Sequence, residues 1–158
     1  MKRLLSGILA AMAIIVLAAC GSDDELPVKD MEKPTISNDN DSYPQNCQVF
    51  NRGEVVPFRC TFKDNIELGS FNVEIHNNFD HHSHSTSAGD CETDPKKTPL
   101  KPWVYNSSEK IPAGRQLYKV IIDIPIPTDI DPGDYHFMVR LTDKTGWQEL
   151  KAVSIKIK

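Results

Sequence analysis

From residue 20 onward the apolar residues of this chain recur at every second position, and almost nowhere at the spacing of an amphipathic helix. Val56, Phe58, Cys60 and Phe62 alternate with polar neighbours, as do Phe71, Val73 and Ile75. So do Tyr118, Val120, Ile122 and Ile124, and then Tyr135, Phe137, Val139 and Leu141. Successive side chains of a strand point to opposite faces, so this pattern belongs to strands with one face buried. Eleven prolines argue further against long helices. The expected fold is all-β: an antiparallel β-sandwich of about seven strands. The strands fall near residues 34–37 (an edge strand), 54–63, 70–76, 117–124, 134–142 and 148–157. Asp64-Asn65 starts one turn, and Asp143-Lys144-Thr145-Gly146 makes a hairpin turn. In the last strand the apolar positions are Leu150, Ala152 or Val153, Ile155 and Ile157, which leaves its register open. The segment Asn77–Gly114 is long and loop-like, with one candidate strand at Pro102–Tyr105.

The N-terminus follows different rules. Met1-Lys2-Arg3 is cationic, the run from Leu4 to Ala19 is apolar, and Leu17-Ala18-Ala19-Cys20 closes it. This is the pattern of a secretory signal, and the run is short for a bilayer span of about 20 apolar residues. The closing tetrapeptide resembles the lipobox of bacterial lipoproteins, which implies lipidation of Cys20, cleavage before it and anchorage in a membrane. Ser22-Asp23-Asp24-Glu25 resembles the acidic export signal of surface-exposed outer-membrane lipoproteins, and it also serves as a solvated tether. The expected organisation is a signal peptide over residues 1–19, a lipidated tether over 20–33 and one domain over 34–158. Loss of Lys2 and Arg3 takes 18 basic side chains to 16 against 22 acidic ones, a net charge of −6, which disfavours nucleic acid as a partner.

The strand order and the Gly133-Asp134-Tyr135 opening resemble an immunoglobulin-like domain, with Tyr135 at the corner-tyrosine position. Cys60 matches the cysteine of its second strand, but Phe137 stands where the usual disulfide partner would be. In such a sheet the strands near 70–76 and 134–142 are antiparallel neighbours. His76 ends the first and His136 opens the second, both on the face opposite Ile75 and Phe137. Directly opposed side chains have β-carbons about 4.5–5.5 Å apart, close enough for two imidazoles to share one metal ion. His81, His82 and His84 follow in the adjoining loop, so four of the five histidines lie within nine residues. Asp80 and Asp134 are the nearest carboxylates, as further ligands or as acceptors behind the imidazoles. A ligand set of His76, His81, His82, His84 and His136 suits Zn²⁺ or Cu²⁺. A polar surface loop and a pH-responsive loop are the competing readings.

The same topology bears on the cysteines. Cys47 precedes the 54–63 strand and Cys91 follows the histidine loop, at one end of the sandwich. A Cys47–Cys91 disulfide is expected, with Cys60 a buried thiol; Cys47–Cys60 is the competing pair.

The stretch from Asp64-Asn65 through Glu67-Leu68, the His76–His84 run and Gly133–His136 resembles an uncharacterised family of immunoglobulin-like bacterial lipoproteins, a domain of unknown function, over about residues 34–158. The resemblance implies fold and envelope location and carries no activity. No nucleophile with a general base, Gly-x-Ser-x-Gly, phosphate-binding glycine loop or His-Glu-x-x-His helix is present, so an enzyme is not expected, although Glu74 lies on the same face as His76. The expected role is metal capture, or delivery to an outer-membrane partner. The alternative is an interaction module that offers the 77–114 loop to a glycan or protein. Trp103 and Tyr105 form either an exposed platform for a glycan or, as the favoured reading, part of a sheet edge, and Trp147 packs by the hairpin turn. Asn38-Asp39-Asn40-Asp41 spaces oxygen ligands like a calcium loop but lacks the Gly and distal Glu of an EF-hand, so it reads as linker.

Overall fold

A computed structural model describes residues 29–37, 42–84 and 91–158. The segment expected to be a signal peptide, Cys20 as the expected lipidation site, most of the expected tether and the 38–41 oxygen-rich run lie outside the described residues. Eight strands follow in order: β1 (Thr35–Ile36), β2 (Gln48–Phe50), β3 (Val55–Lys63), β4 (Leu68–Asn77), β5 (Tyr105–Lys110), β6 (Leu117–Pro125), β7 (Gly133–Asp143) and β8 (Gln148–Ile157). No helix occurs among the described residues, and so none there is long and apolar enough to cross a membrane.

The strands form two sheets, ordered β1-β3-β6 and β2-β8-β7-β4-β5, which pack as a β-sandwich. All pairings are antiparallel except β2 with β8. The alternation read from the sequence has its cause here. Val56, Phe58, Cys60 and Phe62 of β3 face Phe71, Val73 and Ile75 of β4 and the Tyr135–Leu141 set of β7 across one core. Aromatic rings join the sheets, with Phe58 5.3 Å from Phe137 and Phe62 5.2 Å from Phe71 between centroids. Cys60 is a buried thiol, and burial pushes its pKa up.

The structure shifts one expected strand, adds another and fixes the register that the sequence leaves open in the last. Instead of Pro102–Tyr105, the strand is Tyr105–Lys110, paired on the edge of β4. Trp103 precedes it and is buried in the core, so it forms no exposed platform. The strand is polar because its side chains bond laterally: Asn72 Nδ2 donates to Asn106 Oδ1 at 2.7 Å and lies 2.9 Å from Ser108 Oγ. β2 is an additional short strand after Cys47. In β8, Val153 pairs with Phe137 on the core face and Ala152 with Met138 on the other, so both are buried; Leu150 falls on the outer face opposite Arg140.

Tyr135 is fully buried, and its hydroxyl closes a local network. It donates to the carbonyl of Asp131 at 2.6 Å and accepts from the amide of Trp103 at 3.2 Å. Tyr135→Phe leaves both backbone groups short of a partner and is expected to cost about 1–3 kcal/mol. Chemical denaturation should show this as a lower midpoint at unchanged slope.

Candidate metal centre

The register between β4 and β7 brings His76 directly opposite His136, with Ile75 opposite Phe137 on the core face. Both histidines therefore point away from the core, at the end of the sandwich where β4 stops and β7 begins. Beyond β4 the chain folds back over this end. The amide of Asn78 donates to the carbonyl of Asp134, and Lys97 N donates to the carbonyl of Phe79. Phe79 packs edge-on to Tyr135 at 5.3 Å and lies over Gly133. Gly133 has φ 131°, and a β-carbon there would come within 3.0 Å of the Phe79 ring, so glycine is what permits this close packing.

His81 adopts a left-handed backbone at φ 62°. Its ring turns outward, with Nε2 2.9 Å from the carbonyl of Asp94. His82 and His84 instead return to His76. His76 Nε2 lies 3.2 Å from His82 Nε2 and 3.0 Å from His84 Nε2. The rings of His76, His82, His84 and His136 form a mutual cluster with centroids 4.6–5.6 Å apart. His76, His82 and His84 each offer a ring nitrogen within 4.8 Å of the others, a triad that could hold a metal ion. Two ligand nitrogens on a tetrahedral ion with bonds of about 2.05 Å are separated by about 3.3 Å, close to the spacings seen.

The carboxylates take supporting places. His82 Nδ1 donates to Asp80 Oδ1 at 2.6 Å, which leaves the Nε2 lone pair for the cluster. The same bond holds the Asp80 carboxyl below its usual range. Glu74 Oε1 stands 3.0 Å from His76 Nδ1 without hydrogen-bond alignment. Asp134 does not join the imidazoles. Its Oδ2 accepts from the amide of Asp94 at 2.7 Å, and Oδ1 lies 3.4 Å from Lys156 Nζ.

His136 packs behind the triad. It is 2% exposed, and its Nε2 donates to the carbonyl of His82 at 3.2 Å, while Nδ1 is buried without a partner. Burial pushes its pKa down to about 4, with the bond to His82 opposing and the neighbouring imidazoles adding. His84 is also lowered, first by burial and then by charge on His76 and His82. Both effects favour neutral imidazole, the form that binds metals. Cys47 and Cys91 form a disulfide near this end, and the amide of Cys47 donates to the carbonyl of Ser154, the residue opposite His136 on β8.

The architecture defines a small β-sandwich domain with a clustered-imidazole centre at one end. The chain belongs to a family described as a domain of unknown function, DUF4625, whose model matches residues 18–158. No curated protein matches the sequence.

Proposed function

We propose that this chain is a lipid-anchored protein of the bacterial outer membrane, exposed at the surface, that captures Zn²⁺ or Cu²⁺ and passes it to an outer-membrane partner. The convergence of three Nε2 atoms from His76, His82 and His84 carries the metal reading. Three protein nitrogens leave a fourth position for an exchangeable ligand, which suits capture and release better than a closed structural site. The role is binding rather than catalysis. Location rests on the Leu17–Cys20 lipobox and the acidic run after it. An immunoglobulin-like fold is supported by the two strand orders and by the bond from Tyr135 back to Asp131.

The test is a competition titration of the full-length chain in detergent, without an affinity tag, against a metal chelator. One equivalent of Zn²⁺ or Cu²⁺ should bind with higher affinity than to a His76→Ala/His82→Ala/His84→Ala variant. Equal affinities would overturn the proposal. Asp80→Ala removes the acceptor that orients His82 and is expected to weaken binding by about 10–100-fold.

One observation favours the second reading, an interaction module. Leu100 and Val104 are 90% and 68% exposed on the segment that follows the histidine loop, a surface suited to a glycan or protein partner. Under that reading the triple histidine variant would retain partner binding.

A further inference from the structure

The opposite end of the sandwich carries a second cluster of different chemistry. Asp30 lies just before β1, Asp64 opens the β3–β4 turn and Asp143 ends β7. One carboxylate oxygen from each lies within 4.8 Å of the others. β4 separates this cluster from the histidines by roughly 25 Å, the length of eight strand residues.

The hydrogen bonds show which oxygens are committed. Asp143 is 4% exposed. Its Oδ1 accepts the amides of Thr145, Gly146 and Trp147 and the Thr145 hydroxyl, whereas its Oδ2 is buried and accepts nothing. Asp64 repeats the pattern. Its Oδ2 takes the amides of Ile66 and Glu67, and its Oδ1 is buried without a partner. Turn capping therefore uses one oxygen of Asp143 and one of Asp64 and leaves the other buried without a partner, while Asp30 Oδ1 accepts the amide of Glu32 at 3.1 Å and its Oδ2 lies 3.4 Å from the Thr145 hydroxyl. Asp30 is 6% exposed, and no lysine, arginine or histidine pairs with any of the three among the described residues. Three carboxylates this close, with no cationic side chain among them, concentrate negative charge that a bound cation would offset.

We infer that Asp30, Asp64 and Asp143 form a hard divalent-cation site whose preferred ion is Ca²⁺. An all-oxygen ligand set excludes the soft preferences of the histidine end. The ligands come from three separate segments, which fits the flexible coordination of Ca²⁺ better than the strict octahedron of Mg²⁺, with backbone carbonyls and water completing the shell. Such an ion does structural work. Asp30 belongs to the segment that leads from the N-terminus, and the indole of Trp147 donates to its carbonyl at 3.3 Å. Calcium would clamp that segment to the β3–β4 and β7–β8 turns and so set the direction in which the domain leaves its tether.

Trp147 supplies the readout, because its indole adjoins the site. Tb³⁺ added to the full-length chain in non-ionic detergent should give saturable, tryptophan-sensitised emission that Ca²⁺ displaces. Asp143→Asn and Asp30→Asn should each weaken Tb³⁺ binding by about tenfold or more, as expected when a site loses one ligand charge. Asp30 lies outside both sheets, so Asp30→Asn tests the site even where Asp143→Asn fails to fold. A His76→Ala/His82→Ala variant should keep the emission unchanged, separating this site from the histidine centre. Absence of sensitised emission from the wild type, or equal emission from wild type and Asp30→Asn, would overturn the inference.

Discussion

Replacing His84 with alanine is expected to weaken Zn²⁺ binding by on the order of 10²–10³-fold, as loss of one of three nitrogens does when the total binding energy of a zinc site is about 10–16 kcal/mol. His84 is the better probe than His76, because it lies beyond the last residue of β4 and its removal leaves both sheets intact. Its Nε2 stands 3.0 Å from that of His76, and its ring is 4.6 Å from that of His136. Two controls bracket the effect. His81→Ala should leave affinity unchanged, since its ring is engaged with the carbonyl of Asp94 rather than with the triad. His136→Ala should fall between the two, because its ring supports the cluster and holds the His82 carbonyl without adding a nitrogen to the convergent set. The order wild type equal to His81→Ala, then His136→Ala, then His84→Ala is checked by the same chelator competition for all four chains. An equal affinity for wild type and His84→Ala would contradict the triad.

The opposition of His76 and His136 was legible before any coordinates, and for a specific reason. Ile75 and Phe137 are apolar residues in alternating runs, so their inward orientation sets the parity of both strands; antiparallel adjacency then fixes the pair. The choice between His81 and His82 was not legible. Adjacent and chemically identical, they are separated by a left-handed φ at His81, a property of the turn and not of the residue type. β5 escaped notice because Tyr-Asn-Ser-Ser-Glu-Lys has no apolar period; lateral bonds from Asn72 hold it to the sheet edge. The Asp30, Asp64 and Asp143 cluster was hidden for a related reason. In the sequence Asp64 and Asp143 are ordinary turn starters, and only the folded turns show that capping consumes one oxygen of each. Local chemistry explains half of each carboxylate, and tertiary structure exposes the other half.

The Cys47–Cys91 disulfide should contribute more to stability than any single side chain considered above. It spans a sequence separation of 44 residues, for which loop-closure entropy predicts about 4 kcal/mol. A Cys47→Ser/Cys91→Ser double variant is therefore expected to melt roughly 15 °C below wild type, taking about 4 °C per kcal/mol for a domain of this size. The double change leaves Cys60 as the buried thiol of the domain and removes any chance of its mispairing with Cys47. Metal affinity should respond differently. The chain after the histidines is also held by the bond from Asp94 N to Asp134, by the Lys156–Asp94 ion pair and by Lys97 N on the Phe79 carbonyl. Below its melting transition the variant should thus bind Zn²⁺ only a few-fold more weakly than wild type, since these contacts still return His82 and His84 to His76. A melting temperature within a few degrees of wild type would mean that the unfolded chain gains little freedom when the bridge is lost. A collapse of affinity in the still-folded variant would mean that the bridge, and not the Asp94 contacts, holds the imidazoles in place.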